Sequence, residues 1–242
     1  MNLYGNLDGE KAMAGLLYGM NPKTIVSIPA KEVINYGKAV FLNSLKNAVL
    51  NGKHNNKATI DLSSYMTASK DIVLTINGID VKVTTSGTIA TDVASLVSDI
   101  NDDIKGATAV AGTIANAGKI FLTSNNDSEL SVKASYDGSD VTESKVTLSS
   151  DAVYAGVSVF HQNVFLDSRG CYIKEEAVNV MEKGYIWVVL DSGVTPSLEA
   201  SAYVTKAGTF TTESSGNTLV GKFKSGAENG SGDDSLALVS LD

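Results

Sequence analysis

The chain has 242 residues, 43% of them hydrophobic and 19% charged, which is enough for one large domain or two small ones with a real core. Its formal net charge of −8 argues against a nucleic-acid-binding surface, which needs clustered Lys and Arg. The single cysteine, Cys171, excludes an internal disulfide framework and any multi-cysteine metal site.

No apolar run approaches the roughly 20 residues that a membrane-spanning helix needs, so we expect no membrane partner. The N-terminus carries acids early and lacks the pattern of a signal peptide. Ser, Thr, Asn, Gly and Val are abundant and Pro is scarce, which favours β structure with many turns.

Residues 1–30 predict an extended arm. Glycines interrupt any helix, and Pro22 and Pro29 bracket the strand-like segment 24–28. Two interpretations stay open, a disordered tail or an arm that becomes ordered against a neighbouring subunit. The apolar residues within the arm favour the second interpretation. These candidate interface residues are Leu16, Leu17, Tyr18, Ile25, Val26 and Ile28.

Residues 31–68 contain a strand-like segment at 37–42 and then a polar connection into a new unit. His54 lies among Asn and Lys in this connection, and we interpret it as an exposed loop residue.

Residues 69–135 have the clearest local pattern. Asn77-Gly78 between the apolar strand 72–76 and the alternating segment 79–83 predicts a β-hairpin, because both turn positions favour positive φ. Thr91 is the predicted N-cap of an amphipathic helix that stops at Gly106. Its apolar face would consist of Val93, Leu96, Val97, Ile100 and Ile104. Three further strand candidates, at 107–111, 119–123 and 130–134, complete a ββαβββ lobe.

This lobe resembles the flagellin hook IN motif. The resemblance rests on the segments 76–78, 99–101, 107–110 and 118–124. It implies an exposed lobe without catalysis; the alternative is a generic α+β insertion with a common hairpin.

Residues 135–152 are polar and predict a linker, and from Val153 onward turn signals recur every 8–12 residues or so, which is typical of an all-β sandwich or barrel. The strand candidates are 155–160, 164–166, 171–173, 178–181, 185–190, 201–205, 208–210, 219–223 and 236–241. Trp187 lies within an apolar strand and is interpreted as a core residue, although aromatic anchors also mark interfaces.

No set of residues with a catalytic pattern is found, so we assign no catalytic residue, cofactor or metal site. His161 lies at a strand end, and Cys171 is interpreted as a buried thiol because no base pairs with it. The adjacent acids at 102–103, 175–176 and 233–234 diverge on any regular element. Residues 125–127 lack the distal Glu of a calcium loop.

Together with the N-terminal segment, the C-terminal third resembles the structural cement, or capsid decoration, proteins of tailed bacteriophages. The matching residues are Tyr172 and the segments 22–28, 34–40, 155–159, 176–188, 202–212, 221–227 and 236–239. The resemblance covers about residues 10–45 and 152–242, and the middle lobe looks inserted. It implies a small β module on the outer shell, often a homotrimer, that staples neighbouring major capsid proteins.

The sequence therefore predicts a mainly β chain. The expected parts are an extended N-terminal arm (1–30), a small β-barrel or β-sandwich capsid-docking module (31–68 and 136–242) and an inserted α+β lobe (69–135). The expected function is that of a non-enzymatic virion protein, made in the host cytoplasm, that cements the outer capsid surface. The alternatives are a tail-fibre or flagellar-type adhesin whose lobe binds a host cell, and a hydrolase on a β scaffold.

Overall fold

The computed structural model describes residues 13–19, 23–65, 67–141, 145–160, 170–230 and 234–242. The fold is mainly β, with 46% strand and 9% helix, which confirms the predicted fold class. The chain divides into two compact units. We call Met1–Lys53 with Ala152–Asp242 the composite unit, and His54–Asp151 the middle unit. In the described part of the chain, no helix has the length and apolar character needed to span a membrane.

The strands are β1 (Thr24–Pro29), β2 (Ile34–Asn35), β3 (Ala39–Leu42), β4 (Val49–Leu50), β5 (Lys57–Asp61), β6 (Asp71–Ile76), β7 (Ile79–Thr84), β8 (Ala107–Ala111), β9 (Lys119–Ser124), β10 (Val132–Tyr136), β11 (Ser139–Asp140), β12 (Val146–Ser149), β13 (Val153–Ser158), β14 (Cys171–Tyr172), β15 (Ala177–Val189), β16 (Ser201–Val204), β17 (Phe210–Thr211), β18 (Thr218–Phe223), β19 (Glu228–Asn229) and β20 (Ser235–Leu241). The α-helix is α1 (Ile89–Asp103), and a short 3-10 helix spans Ile114–Asn116.

The composite unit is a ten-stranded, half-barrel sheet in the order β17-β16-β18-β20-β15-β13-β3-β4, with β1 added to β15 and β19 added to β20. Its central strand, β15, has 13 residues, and its side chains pack into two apolar clusters. Val178 and Val180 pack into one cluster, while Ile186 and Val188 pack into the other. Between these pairs of residues, the register of β1 against β15 shifts by one residue.

Gly184 lies inside β15, which joins the two predicted strand segments 178–181 and 185–190 into one strand. Its φ of +126° is one that residues with a side chain rarely adopt. A Cβ at this position would lie 3.1 Å from the Met181 Cε and 3.2 Å from the Lys23 Cγ. Glycine thus lets the strand continue through an irregular point.

Trp187 is half-buried and packs at the margin of a small buried cluster, so it is only partly a core residue. Successive side chains of a strand point to opposite faces. Ile186 and Val188 are fully buried, so Trp187 points to the other face of the sheet. There it packs beside Val189 and Leu236.

The middle unit consists of two four-stranded sheets, β11-β10-β6-β7 and β12-β5-β9-β8. Together with α1 they enclose one apolar core. The predicted hairpin is confirmed, with Asn77 and Gly78 at φ 51° and 83° between β6 and β7. The unit extends beyond residues 69–135, because β5 pairs with both β9 and β12.

The helix begins earlier than predicted. Its N-cap is Thr88, whose side chain makes no capping bond, and Thr91 lies inside the helix. The Asp92 carboxylate instead accepts a 2.7 Å hydrogen bond from the Ser86 N–H and so holds the preceding loop. At the other end, the Lys105 Nζ donates to the Asp102 carbonyl at 3.2 Å, as suits a helix C-terminus. The predicted apolar positions Val93, Leu96, Ile100 and Ile104 are buried, and Val97 packs against the same core.

Candidate docking surface

The outward face of the composite sheet carries a band of large side chains. Tyr185 and Trp187 alternate along β15 with the core residues Ile186 and Val188, so both point outward. Directly opposed residues in paired strands share a face. By this criterion Trp187 lies beside Leu238, and Tyr185 lies in one row with Ser240, Lys222 and Ser201. Tyr203 and Leu219 form a further pair at the β16–β18 end.

The N-terminal segment extends this band beyond β15. The Trp187 N–H donates to the Leu16 carbonyl at 3.0 Å, and the Tyr18 N–H donates to the Tyr185 carbonyl at 3.0 Å. Leu17 forms an antiparallel bridge with Ile186 and packs on the core. Tyr18, next to Leu17 in the chain, is therefore directed outward. We call Leu16, Tyr18, Tyr185, Trp187, Tyr203 and Leu219 the aromatic face.

Two members of the aromatic face are strongly exposed, Leu219 at 60% and Tyr18 at 38%, and the others are half-buried. Aromatic and aliphatic side chains held on a regular sheet are preferred anchors in protein interfaces. Their positions are fixed by strand pairing, so little side-chain or backbone freedom is lost when a partner binds.

Charged side chains border the aromatic face. The Glu199 carboxylate lies 2.6 Å from the Lys224 Nζ and 3.9 Å from the Lys222 Nζ. The hydrogen bond from Lys224 holds the pKa of the Glu199 carboxyl below its usual value, and the charge of Lys222 acts in the same direction. The same bond raises the pKa of Lys224 above its usual value. Both groups are charged at neutral pH and form a polar rim.

The six candidate interface residues of the arm fall into two groups. Leu17, Val26 and Ile28 pack against the chain's own apolar clusters. Tyr18 is exposed and Leu16 half-buried on the aromatic face, and Ile25 on β1 is 41% exposed. The alternation of Ile25 and Ser27 with Val26 and Ile28 was the sequence signal that separates these groups.

β1 is an edge strand. In the described part of the chain it pairs only with β15. The Ala30 N–H donates to the Glu176 carbonyl, so the alternate residues Ile28 and Val26 bond to β15. The main-chain groups of Ile25 and Ser27 therefore face the open edge. This edge could accept a strand from another protein.

The candidates for chemistry in the sequence are not members of the aromatic face. His54 is half-buried rather than exposed, and its Nδ1 lies 3.1 Å from the Asp127 carbonyl. Cys171 is partly exposed in β14. Asn125 accepts a hydrogen bond from Thr108, and Asp127 accepts one from Asn56. His161 lies outside the described residues. Within the described ranges, no three His, Cys, Asp or Glu residues are placed to hold a metal ion.

Comparison with known families defines the class of this chain, a phage structural protein. A family model described as structural cement protein (E217 gp24/Pam3 gp6) matches residues 103–242. The match covers more than half of the chain, and the chain belongs to this family. The matched region runs from the last residue of α1 through the C-terminal strands, so it includes β8–β12 of the middle unit. No curated protein matches the chain. The resemblance of the lobe to the flagellin hook IN motif stays a prediction.

Proposed function

We propose that this protein cements a phage capsid by binding the major capsid protein through the aromatic face. The proposal rests on the positions of Tyr185, Trp187, Tyr203 and Leu219, which project from the face of the sheet opposite the larger apolar cluster of the composite unit. Aromatic anchors surrounded by a polar rim are the usual anatomy of a specific interface. The Glu199–Lys224 pair would orient the partner at the rim.

The open edge of β1 supplies a second contact. Val26 and Ile28 hold β1 on an apolar cluster, and Ile25 presents an exposed apolar side chain beside main-chain groups that pair with no described strand. An extended segment of a capsid protein would add to this edge by main-chain hydrogen bonding. Two modest contacts on one protein, repeated over a shell, stabilise the shell more than either contact alone.

These surfaces give each part of the chain a proposed role. The composite unit docks, and the N-terminal segment completes its outward face. The protein would occupy the outer capsid surface as a homotrimer, in which one copy joins neighbouring capsid proteins. Its acidic chain suits docking on a basic partner.

Shells that lack this protein provide the test. The wild-type protein should co-sediment with purified shells and raise their melting temperature. Leu219→Asp places a charge in the aromatic face and should weaken shell binding at least about tenfold. Leu45→Asp is the matched control, because Leu45 is 75% exposed in the same unit and lies outside the face.

Equal shell binding by the two variants would exclude the aromatic face as the docking surface. Co-sedimentation of the wild-type protein with host cells or tail structures, and not with shells, would exclude the cement function in favour of an adhesin.

A further inference from the structure

The Asn77-Gly78 turn of the middle unit brings together a carboxamide and the amide nitrogen of a glycine. When glycine follows asparagine, its unhindered nitrogen can attack the Asn Cγ and expel ammonia as a succinimide ring closes. Water then opens the ring and leaves aspartate or isoaspartate. The chain contains three Asn-Gly pairs, at 51–52, 77–78 and 229–230. Their surroundings differ, and with them the ease of this reaction.

The nitrogen of Gly78 is available for the attack. No hydrogen bond joins its N–H to another described residue. A Cβ on Gly78 would meet no atom within 4 Å, so its peptide group has room to rotate towards the Asn77 side chain. Both residues are exposed, and water therefore reaches the ring. At 229–230, by contrast, the Gly230 N–H donates to the Asp234 carbonyl at 3.0 Å, which occupies the attacking nitrogen.

The carboxamide of Asn77 is polarised for the attack. Its Oδ1 accepts a 2.9 Å hydrogen bond from the Ser131 N–H. Negative charge develops on this oxygen when a nitrogen adds to Cγ, and a donor already directed at the oxygen stabilises that charge. The Asn51 Oδ1, in contrast, is buried without a hydrogen-bond partner among the described residues, so charge on it would be costly. Gly52 is also closely packed, because its Cβ would lie 2.8 Å from the Lys206 carbonyl oxygen.

The two products have different effects on the β6–β7 hairpin. Ile76 pairs with Ile79 across a turn of two residues, Asn77 and Gly78, whose φ values are 51° and 83°. Isoaspartate adds a carbon atom to the backbone of this turn, which no longer matches the spacing of the paired strands. Aspartate keeps the backbone and an oxygen that can accept from the Ser131 N–H. Isoaspartate therefore weakens the hairpin, and aspartate leaves it in place.

We propose that Asn77 is a site of spontaneous deamidation. The Gly78 nitrogen bonds to the Asn77 Cγ, the Cγ–Nδ2 bond breaks, and the Gly78 amide proton leaves with the ammonia. Water then adds to the succinimide and gives aspartate and isoaspartate, so the middle unit loses stability as the protein ages. The reaction needs no enzyme and no capsid protein, and it does not rest on the docking proposed above.

Peptide mapping of the aged full chain by mass spectrometry tests the site. The protein is incubated at neutral pH in water labelled with heavy oxygen, which marks conversion during incubation and not during digestion. Asn77 should convert several-fold faster than Asn51 and Asn229. Gly78→Ala should slow the conversion of Asn77 several-fold, because a methyl group hinders the nitrogen. Gly138→Ala is the matched control, since Gly138 has φ +78° in the same unit and its Cβ would also meet no atom within 4 Å.

Faster conversion of Asn51 or Asn229 would overturn the proposal. So would a Gly78→Ala protein that converts at the wild-type rate, or an Asn77 that stays intact in the folded chain while it converts in the urea-unfolded chain. Thermal unfolding tests the loss of stability. The isoaspartate fraction of the aged protein should unfold at a lower temperature than Asn77→Asp, and equal temperatures would exclude that part of the proposal.

Discussion

Gly15 and Gly37 lie against each other so closely that neither position has room for a side chain. A Cβ on Gly37 would lie 2.6 Å from the Gly15 nitrogen, and one on Gly15 would lie 3.0 Å from the Gly37 nitrogen. The Gly15 N–H also donates to the Trp187 carbonyl at 2.7 Å. This contact fixes the segment that places Leu16 and Tyr18 on the aromatic face.

Gly15→Ala should therefore destabilise the composite unit by more than backbone strain alone. Gly15 has φ +75° and Gly193 has φ +76°, but a Cβ on Gly193 would meet no atom within 4 Å. Gly193→Ala should lower the free energy of unfolding by about 1–2 kcal/mol, the usual penalty of the left-handed conformation. Gly15→Ala should lower it by clearly more. Urea unfolding of the two variants measures the difference. Equal losses would mean that the contact with Gly37 contributes nothing.

Ile186→Ala should mainly lower the stability of the protein, whereas Trp187→Ala should mainly weaken its docking. Ile186 is fully buried, so its truncation should lower the free energy of unfolding by about 2–5 kcal/mol. Trp187 is half-buried, so its truncation should cost only about 1–2 kcal/mol while abolishing most shell binding. Thermal unfolding and shell co-sedimentation of both variants provide the check. A Trp187→Ala protein that fails to fold would show that Trp187 acts as a core residue.

Two tyrosines with buried hydroxyl groups should respond differently to the loss of that group. The Tyr172 hydroxyl donates to the Val159 carbonyl at 2.7 Å and accepts from the Asn179 N–H at 3.3 Å. The Tyr154 hydroxyl is buried without a hydrogen-bond partner among the described residues, and burial raises the pKa of this phenol. Tyr172→Phe should thus cost about 1–2 kcal/mol, whereas Tyr154→Phe should be neutral or stabilising. Chemical denaturation of the two variants distinguishes these outcomes, and a clear loss for Tyr154→Phe would contradict the structure.

The ion pair of Glu199 and Lys224 should make a small, salt-dependent contribution to the free energy of unfolding, which is lost in acid. The folded-state pKa of Glu199 is lowered, so its contribution is present above the unfolded value and is lost as pH falls through the folded value, below about pH 4. The folded-state pKa of Lys224 is raised, so its contribution is lost only as pH rises above the lysine range. Titration of the Glu199 carboxyl by NMR should show a lowered pKa that moves most of the way back to its usual value in Lys224→Ala, because only the charge of Lys222 then still lowers it. A Glu199 pKa at the ordinary value in the wild-type protein would show that the pair does not form in solution.

Local patterns in the sequence predicted local structure well. The Asn77-Gly78 turn requires only two residues with positive φ, and β6 and β7 form around it as expected. The apolar face of α1 was also predictable because it depends on a helical period of 3.6 residues. The N-cap was predicted three residues late, since Asp92 and not a capping hydroxyl holds the start of the helix.

Long-range pairing could not be predicted in the same way. β5 pairs with β9 and β12, which follow it after an intervening hairpin and helix, and no turn between them specifies the register. The outward position of Trp187 could not be predicted from the sequence for a different reason. The apolar run 185–190 has no polar alternation, because its outward residues are also large and half-buried. In that situation, periodicity alone does not distinguish a core from a docking face.

β15 also has a mechanical consequence. Four segments, β1, β13, β20 and the residues around Leu17, form main-chain hydrogen bonds to this one strand. In antiparallel pairing these bonds run perpendicular to the strand. When a shell swells under internal pressure, tension directed along β15 would load the bonds in shear and share the force among them. They would have to rupture together, whereas tension across the strand would unzip them singly. In the proposed docking, the orientation of β15 on the shell would therefore determine how much tension the protein withstands.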